Sequence, residues 1–432
     1  MTKIGVFPGI EGGTISVPPS KSYTHRALFA GLLASGKTII ENPLFSSDTK
    51  ATMNAIQMFG ASLTEEKTEK IIVEGTGRVQ VPDNIIDVGN SGTTIRIATA
   101  LAALAEKGFT VLTGDESIRN RPMGPLIDAL KEIGVNVWST RLNGLPPIIV
   151  EGGSIKGEKT KIDGSVSSQF ITALLMMSPK TKNGLTINVT GDFVSRPYVI
   201  MTIKLLEKFG ISVEQLDEVT YHVAPQEYKP TSFKVPADFS SAAFFIGLGA
   251  LVDKEIVVKG LDFALPQADS KIIDIVKAFG ANVHVDKERG IVKVRGNTLT
   301  GIEIDLKDAP DLLPIVAVIA MRADGKTIIR GVKHARYKES DRIAVLAREL
   351  QKFGVRTEEL EDGLIIWGEK ELKPCHLEGS KDHRLFMAFT IAAIIGKGPC
   401  IIDGFESISV SYPRFVDDLN KLGVRVKVIS SE

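Results

Sequence analysis

The sequence predicts an α/β protein of two domains, each made of three βαβαββ repeat units around buried helices, in the manner of an inverted α/β barrel. Three observations predict this fold. A glycine-ended helix recurs six times, a short β-branched strand recurs with it, and a helix that is apolar on nearly every side precedes each strand. A ligand cleft is expected between the two domains.

The recurring helix ending sets the length of the repeat. Amphipathic helices end at glycines spaced about 70 residues apart: Gly60, Gly134, Gly210, Gly280, Gly354 and Gly423. A glycine after the last helical turn is typical of a cap with a left-handed backbone. The spacing therefore predicts six copies of one supersecondary unit in 432 residues.

Two further segments recur within each unit. A short strand opens at Gly or Lys and continues in β-branched residues, as at 254–258. The helix before it is apolar nearly all round, which is typical of a core helix. These helices are predicted at 27–34, 95–105, 170–177, 242–251, 312–321 and 385–395. One unit cannot bury its own apolar surface, so three are expected to pack into each domain.

Two similar segments indicate where the chain passes from one domain to the other. Residues 16–20 resemble residues 234–238, and both segments precede a buried helix. This similarity predicts paired crossovers. One domain is expected to comprise residues 17–233, and the other residues 1–16 with 234–432.

Composition and charge argue against several classes of protein. Lys plus Arg and Asp plus Glu each number 52, so the chain lacks the basic excess of a nucleic-acid or membrane-surface protein. It has no apolar run of membrane-spanning length and no signal-peptide core at its start. Cys375, Cys400 and the six histidines lack metal-site spacing. The cysteine usage fits a reducing cytoplasm, and no structural metal is expected. A monomer without a cofactor is a separate expectation, which composition and charge do not establish.

The starts of the buried helices carry more polar residues than capping requires. A Ser, Thr, Asn or Asp N-cap explains one residue per helix, and capping explains all of 238–241. Cations also lie in first turns, at Lys21, Arg26, Arg96 and Arg384. A cation there opposes the helix dipole unless an anion compensates. Free N–H groups, hydroxyls and cations together favour phosphate or carboxylate, so highly anionic small ligands are predicted.

Further cations occupy loops that precede the exposed helices. They are Arg119, Arg121, Arg196, Lys338 and Arg342. Each one taken singly is typical of a solvated surface charge, and Asp341 with Arg342 is also explained as a first-turn pair. Their recurrence in corresponding loops favours a shared binding role.

Six segments, in order along the chain, resemble those of the 5-enolpyruvylshikimate-3-phosphate synthase family. They are residues 19–28, 89–96, 121–126, 164–170, 338–342 and 382–384. The family's fold is the one that the repeat predicts. The resemblance implies transfer of the enolpyruvyl group of phosphoenolpyruvate to the 5-hydroxyl of shikimate 3-phosphate. The reaction releases phosphate through a tetrahedral intermediate and leads to chorismate and the aromatic amino acids.

The resemblance also implies which residues bind each substrate. Shikimate 3-phosphate is expected to contact Lys21, Ser22, Arg26, Ser167, Ser168, Gln169, Ser195, Asp311 and Lys338. Phosphoenolpyruvate is expected to contact Lys21, Asn90, Gly92, Arg121, Gln169, Arg342 and Arg384. The herbicide glyphosate is expected to compete with phosphoenolpyruvate beside Gly92.

The reaction needs a base for the hydroxyl and a proton donor for the methylene carbon. By resemblance, Asp311 is the base and Glu339 carries the methylene proton. Lys21 is a candidate for protonating the leaving oxygen. Asp308 is the competing choice of base, and from the residues alone Asp311 is as well explained as an N-cap.

Two positions depart from the family pattern. Val410 stands where many members have lysine, so one phosphoenolpyruvate contact is expected to be absent or replaced. His334 stands where asparagine is common, so a contact to the phosphate or hydroxyl of shikimate 3-phosphate is in question.

Two rival functions fit the polar residues of the helix starts and loops less well. The sister enzyme that uses a UDP-amino sugar has a Lys-Asn pair near its start and usually a cysteine in the loop that here holds Arg121. This chain has Lys21-Ser22 and no cysteine at 118–121. A non-catalytic repeat protein or ring clamp would not need convergent cations at its helix starts.

Overall fold

A computed structural model describes residues 2–66 and 69–429. Its contacts divide the chain into two compact units. The middle unit is Pro19–Pro236, and the terminal unit joins Met1–Pro18 to Ala237–Glu432. The crossovers thus follow Pro18 and Pro236, where the sequence analysis placed them after Ser16 and Phe233.

Buried and surface α-helices alternate along the described residues. They are α1 Lys21–Leu33, α2 Ser47–Met58, α3 Gly92–Ala102, α4 Gly124–Glu132, α5 Ser168–Met177, α6 Arg196–Lys208, α7 Phe239–Leu251, α8 Ile272–Phe279, α9 Leu313–Ala320, α10 Arg342–Gln351, α11 His383–Ile394 and α12 Phe415–Lys421. The odd-numbered helices are buried over nearly their whole length. The predicted core helices are therefore confirmed.

Short strands separate the helices. They are β1 Lys3–Val6, β2 Gly13–Ser16, β3 Ser35–Glu41, β4 Ser62–Glu66, β5 Lys70–Thr76, β6 Ile86–Asp87, β7 Phe109–Thr113, β8 Val137–Ser139, β9 Ile148–Glu151, β10 Lys159–Asp163, β11 Leu185–Thr190, β12 Glu214–Gln215, β13 Thr220–Val223, β14 Ser232–Lys234, β15 Ile256–Lys259, β16 Asn282–Asp286, β17 Ile291–Arg295, β18 Glu303–Asp305, β19 Lys326–Arg330, β20 Arg356–Leu360, β21 Gly363–Trp367, β22 His376–Glu378, β23 Cys400–Asp403 and β24 Val426–Ile429.

These strands form six four-stranded sheets, three in each unit. The middle unit contains the orders β14-β3-β5-β4, β6-β7-β9-β8 and β10-β11-β13-β12. The terminal unit contains β16-β17-β15-β2, β18-β19-β21-β20 and β22-β23-β1-β24. Each sheet contains one parallel pair, and antiparallel pairs complete it, as in β10, β11 and β13. The repeat predicted from the sequence is therefore confirmed.

The strands at the two crossovers pair outside their own sequence neighbourhood. β2 directly precedes α1 in the chain but lies parallel to β15, with Ile15 opposite Val258. β14 directly precedes α7 but lies parallel to β3, with Phe233 opposite Ile40. Each strand therefore supplies the first strand of a sheet whose other strands lie far away in the sequence.

The N-terminal strand completes the sixth sheet. β1 lies antiparallel between β23 and β24, where Ile4 is opposite both Ile402 and Val428. It takes the position that the last strand of the repeat occupies in the other sheets. The sequence analysis did not predict this pairing, because the partners lie at opposite ends of the sequence.

The six helix-ending glycines have the predicted backbone conformation. Their φ angles are 106° at Gly60, 88° at Gly134, 77° at Gly210, 110° at Gly280, 89° at Gly354 and 83° at Gly423. A residue with a Cβ atom is strained there, so glycine ends each surface helix and turns the chain into the next strand.

Candidate functional site

In the middle unit, α1 begins with a lysine that pairs with a buried carboxylate. Lys21 Nζ lies 2.8 Å from Asp48 Oδ2 in the first turn of α2. Burial alone would raise the pKa of Asp48. Lys21 first and His25 second lower it more strongly, so that this pKa lies far below its ordinary value. Asp48 is therefore ionised, and the ion pair fixes the Lys21 ammonium at the helix start.

A buried chain of hydrogen bonds runs from His25, which lies beside this ion pair, to the start of α3. His25 Nε2 lies 3.5 Å from Asp48 Oδ1, and His25 Nδ1 lies 2.7 Å from Thr52 Oγ1. Thr52 Oγ1 is 2.7 Å from Thr94 Oγ1, which is 2.6 Å from the hydroxyl of Ser91. Burial lowers the pKa of His25. A neutral imidazole therefore links the starts of α1, α2 and α3.

At the start of α3, a glycine allows an arginine to approach the helix. Arg121 Nη2 donates to Asn90 Oδ1 at 3.4 Å and to Ser117 Oγ at 3.2 Å. Asn90 in turn donates to Asp115 at 2.8 Å. A Cβ atom on Gly92 would lie only 2.5 Å from Arg121 Nη1. The absence of a side chain at Gly92 thus sets the position of this guanidinium group.

The start of α5 is oriented by an arginine from α3. Arg96 Nη1 donates to Ser167 Oγ at 3.1 Å and to Gln169 Oε1 at 2.7 Å. The amide nitrogen of Gln169 donates to Thr93 Oγ1 at 3.1 Å. The Arg96 guanidinium also lies over the Phe170 ring. Ser167 and Gln169 are therefore held in fixed orientations at the helix N-terminus.

Arg26 is a buried cation that joins three helices of the middle unit. It donates to Thr202 Oγ1 at 2.9 Å, to the Ser22 carbonyl oxygen at 3.0 Å and to Thr172 Oγ1 at 3.2 Å. Burial lowers the pKa of Arg26 to about 10, so it remains charged at neutral pH. With 1% of its surface exposed, Arg26 fixes α1 against α5 and α6.

Ser195 occupies a strained position at the start of α6. Its φ of 55° and ψ of 34° place a non-glycine residue in the left-handed region, and its side chain makes no cap hydrogen bond. Such backbone conformations cost about 1 kcal/mol or more and cluster at functional sites. Ser195 is 5% exposed.

In the terminal unit, one carboxylate meets three cations. Asp311 lies in the short 3-10 helix Pro310–Leu312. Its oxygens are 2.7 Å from Arg342 Nη1, 3.2 Å from Arg384 Nη2 and 3.8 Å from Lys338 Nζ. Burial raises the pKa of Asp311, but Arg384, Lys338 and Arg342 hold it well below its ordinary value. Asp311 is therefore a carboxylate at neutral pH.

Asp311 is not the N-cap of a helix. The cap residue of its 3-10 helix is Ala309 and that of α9 is Leu312, and neither end has a side-chain cap. The capping explanation that the sequence left open is therefore wrong for Asp311. Asp308, the competing choice of base, lies three residues earlier in the chain, before this 3-10 helix.

Arg342 joins the carboxylates of this cluster. Its guanidinium donates to Asp311 at 2.7 Å, to Glu339 Oε2 at 2.8 Å and to Asp382 Oδ2 at 2.8 Å. Burial lowers the pKa of Arg342, but Asp382, Glu339 and Asp311 together raise it above its ordinary value. A permanently charged side chain, 1% exposed, therefore fixes Asp311 and Glu339 relative to each other.

Asp382 holds Arg342 and caps α11. Besides the Arg342 contact, it accepts hydrogen bonds from Ser340 Oγ at 3.0 Å and from the backbone N–H groups of Arg384 at 3.0 Å and Leu385 at 3.4 Å. Asp382 is fully buried. One carboxylate thus aligns the start of α11 with the segment that carries Glu339 and Arg342.

The structure groups the predicted site residues by unit. The terminal unit brings five together through direct contacts: Asp311, Lys338, Glu339, Arg342 and Arg384. In the middle unit, Arg26 lies in the second turn of α1, and the others lie at or before helix starts: Lys21, Ser22, Asn90, Gly92, Arg121, Ser167, Ser168, Gln169 and Ser195. The described residues hold no cluster of three His, Cys, Asp or Glu side chains suited to a metal. They also include no helix long and apolar enough to cross a membrane.

The sequence analysis gave no role to Asp48, Asp269 and Asp382, which help to orient this site. It counted Arg96 among the cations of an anion-binding helix start, but did not predict that Arg96 orients Ser167 and Gln169. Arg96 and Asp382 lie within the segments that carry the family resemblance, so their position was a usable signal. Asp48 and Asp269 lie in or beside the first turn of surface helices, where an acidic residue is ordinarily explained by the helix dipole.

Asp269 is a buried carboxyl group near Asp311. It lies in the 3-10 helix before α8 and is 1% exposed. Burial first, and then the charge of Asp311, raise the pKa of Asp269 to about 7, although Arg384 and Ser240 act in the opposite direction. A proton is therefore held next to the Asp311 cluster up to neutral pH.

We expect Asp269→Asn to stabilise the protein at pH 8 but not at pH 4. The folded pKa lies above the unfolded value of 3.8, so this group's stabilisation is complete below about pH 4 and is lost as pH rises through 7. Asparagine does not titrate, so the variant avoids this loss in the free energy of unfolding, which is at most about 4 kcal/mol. Melting curves of both proteins between pH 4 and 9 measure the effect. A difference in melting temperature that is the same at every pH would contradict it.

Comparison with known proteins connects this geometry to one family. The family model described as EPSP synthase (3-phosphoshikimate 1-carboxyvinyltransferase) matches residues 10–419. The chain is 44% identical to the 3-phosphoshikimate 1-carboxyvinyltransferase of Methanocaldococcus jannaschii, over 96% of this chain and 97% of that protein. It is 46% identical to the protein of the same name from Methanococcoides burtonii, over 96% of both chains.

Solved structures give the same grouping. The EPSP synthase of Acinetobacter baumannii superposes with a TM-score of 0.82 at 27% identity, covering 100% of both chains. The enolpyruvyl transferase NikO of Streptomyces tendae superposes with a TM-score of 0.80 at 17% identity, covering 100% of this chain and 99% of that one. At that identity, the second similarity concerns the fold alone.

Proposed function

The chain belongs to the EPSP synthase (3-phosphoshikimate 1-carboxyvinyltransferase) family, and we infer that it transfers the enolpyruvyl group of phosphoenolpyruvate to shikimate 3-phosphate. The products are the enolpyruvyl ether and phosphate, within the shikimate pathway of aromatic biosynthesis. The observation that carries this function is the cluster in which Asp311 and Glu339 are both bound by Arg342.

We propose that the middle unit binds the anionic groups of the substrates. Ser167, Ser168 and Ser195 would hold the phosphate of shikimate 3-phosphate, because hydroxyls and free N–H groups at helix starts favour phosphate. Ser22 and Arg26 would hold its carboxylate or ring. Arg26 already donates to the Ser22 carbonyl oxygen, so it also fixes this helix start.

We propose that three arginines bind phosphoenolpyruvate. Arg121 would approach it beside Asn90 and Gly92, where the glycine leaves room for the guanidinium group. Arg342 and Arg384 would bind its carboxylate or phosphate, because planar guanidinium groups bind such oxygens in pairs. Lys21 and Gln169 would lie between the two substrates.

Asp311 is proposed as the base in the addition step. It removes the proton of the 5-hydroxyl as that oxygen bonds to the central carbon of phosphoenolpyruvate. Glu339, which enters this step in its protonated form, gives its proton to the methylene carbon and becomes a carboxylate. In the elimination step Glu339 takes a proton back from the methyl group as the bond to the phosphate oxygen breaks. Lys21 would donate a proton to that leaving oxygen, which limits its negative charge.

The low pKa of Asp311 fits this proposal only if the substrates change its surroundings. Three cations surround it in the ligand-free protein, and a weak base removes a proton poorly. When the anionic groups of phosphoenolpyruvate bind Arg342 and Arg384, part of that positive field is neutralised, which raises the basicity of Asp311. The base would thus become active only with substrate in place.

Phosphate release from phosphoenolpyruvate tests this function. The purified protein should release phosphate with shikimate 3-phosphate as acceptor and not with a UDP-amino sugar. Release only with the sugar, or with neither acceptor, would overturn the assignment. Cell fractionation would test the expected cytoplasmic location, and sedimentation would test the expected monomeric state. Cys375 and Cys400 should both be present as free thiols.

We expect glyphosate to compete with phosphoenolpyruvate, because it also carries a carboxylate and a phosphorus oxyanion. Gly92→Ala should weaken this inhibition and raise the KM for phosphoenolpyruvate, since its Cβ atom forces Arg121 to move. Inhibition kinetics at varied phosphoenolpyruvate measure both effects, with Gly124→Ala as a control whose Cβ atom meets nothing within 4 Å. No competition at millimolar glyphosate would argue against a pocket lined by Gly92.

A further inference from the structure

The segment 331–341 carries two proposed functional residues, Lys338 and Glu339. Its beginning is held by the turn that joins β20 to β21. The Val332 N–H donates to the Asp362 carbonyl oxygen at 2.8 Å, and the Gly331 N–H donates to Asp362 Oδ2 at 3.1 Å. These backbone contacts stop several residues before Lys338, so they do not fix the functional end of the segment.

Arg336 makes the next connection between this segment and the same hairpin. Its Nε donates to the Glu361 carbonyl oxygen at 2.9 Å, and its Nη2 donates to the Leu360 carbonyl oxygen at 2.7 Å. Its Nη1 donates to Glu359 Oε1 at 2.8 Å and to Asp341 Oδ2 at 2.8 Å. One guanidinium therefore binds three successive residues of the hairpin and the far end of the segment.

Asp341 transmits this connection to α10. Its Oδ1 accepts a hydrogen bond from the backbone N–H of Ala344 at 3.1 Å and so caps the helix. Its Oδ2 accepts a hydrogen bond from Arg336. Lys338 and Glu339 lie between Arg336 and Asp341 in the sequence. Both ends of this short stretch are therefore fixed to the β20–β21 hairpin by one side chain.

We propose that Arg336 is a positioning residue of the reaction, which sets where Lys338 and Glu339 meet Asp311 and Arg342. This inference rests on the function proposed above. Arg336 has 18% of its side chain exposed, and its hydrogen bonds go to Glu359, Leu360, Glu361 and Asp341, which lie outside the Asp311 cluster. Its effect on the chemistry is therefore indirect, through the path of the backbone at 337–341.

Lys333 provides a matched control on the same segment. Its ammonium group pairs with the Glu361 side chain, so it joins the same two parts of the fold. This pair is exposed and lies before Arg336 in the chain, with 57% of the Lys333 side chain exposed. Such a surface pair contributes little to stability. Lys333→Ala should leave turnover within about twofold of the parent.

The test compares Arg336→Ala, Arg336→Lys and Lys333→Ala in the full-length enzyme. A shift of about 1 Å in a catalytic group costs about a hundredfold in rate. We therefore expect Arg336→Ala to lower kcat about 10- to 100-fold and to raise the KM for shikimate 3-phosphate, which Lys338 contacts. The KM for phosphoenolpyruvate should change less, because Arg342 remains bound to Asp382. Arg336→Lys keeps the charge but not the four contacts. Its kcat and its KM for shikimate 3-phosphate should therefore lie between those of the parent and those of Arg336→Ala.

Two further measurements separate positioning from general stability. Millimolar guanidinium should restore part of the Arg336→Ala turnover, while equal concentrations of sodium chloride should not. Hydrogen exchange of the amides at 337–341 should become faster in Arg336→Ala and remain unchanged in Lys333→Ala. Exchange that is unchanged in Arg336→Ala, or faster exchange with parental kcat, would overturn the proposal.

Failure of the proposed function gives a different result. A parent protein without turnover of shikimate 3-phosphate would contradict that function, while hydrogen exchange would still report whether Arg336 fixes the segment. If the alanine variant does not fold, Arg336→Lys supplies the same comparison, because it retains the positive charge beside Asp341 and Glu359.

Discussion

Asp311→Asn is expected to lower kcat by about a thousandfold or more, because a positioned base contributes about 10²- to 10⁴-fold to such a step. The amide keeps the shape of the side chain but cannot take the hydroxyl proton. Shikimate 3-phosphate should still bind within several-fold of the parent affinity, since its phosphate contacts lie elsewhere in the proposal. Steady-state kinetics and calorimetric titration measure the two effects separately.

Asp308→Asn is the matched control for this prediction. Asp308 lies three residues before Asp311 and carries the same carboxyl group. Arg342, Arg384 and Lys338, however, all lie within ion-pair distance of Asp311. Its variant should retain most of the turnover. Near-normal turnover in Asp311→Asn, or an equal loss in Asp308→Asn, would assign the base to another residue.

Asp382→Ala should give the largest loss of stability among the site residues. Arg342 is almost fully buried, and removing one partner of a buried ion pair costs about 3 to 5 kcal/mol. Loss of the cap of α11 adds about 1 kcal/mol. We therefore expect the melting temperature to fall by about 5 to 15 °C, measured by scanning calorimetry. Turnover should fall as well, because Arg342 then loses the contact that orients it.

Asp238→Ala separates the cap from the ion pair. Asp238 caps α7 through the backbone N–H of Ser241 at 2.9 Å, in the same unit and at the corresponding helix start. This variant should lose chiefly the energy of a cap, so its melting temperature should fall less than that of Asp382→Ala. Equal falls in melting temperature would show that the contact between Asp382 and the buried Arg342 does not stabilise the protein.

The repeated architecture was predictable because it depends on local signals. A glycine such as Gly280 fixes the end of a surface helix, and an apolar stretch such as the one in α9 fixes a core helix. Both signals recur at the same interval, so the fold class follows from periodicity. The pairing of β1 with β23 and β24 was not predictable, because no local pattern identifies a partner at the other end of the chain.

The site was predictable in part, for a related reason. Asp311 and Arg342 lie in segments that resemble the family, although the cluster that joins them depends on tertiary contacts. Asp48 and Arg336 were missed because their residue types are ordinary for a helix start or a surface loop. Only the side chains that they contact, Lys21 and Asp341, distinguish them from solvated surface charges.

The placement of β1 and β2 affects the order in which the chain becomes able to fold during synthesis. The middle unit is continuous in sequence, so all of its strands have left the ribosome before β23 and β24 are made. In the terminal unit, β1 pairs with β23 and β24, which are translated much later. β1 must therefore remain without these partners until both strands have been made.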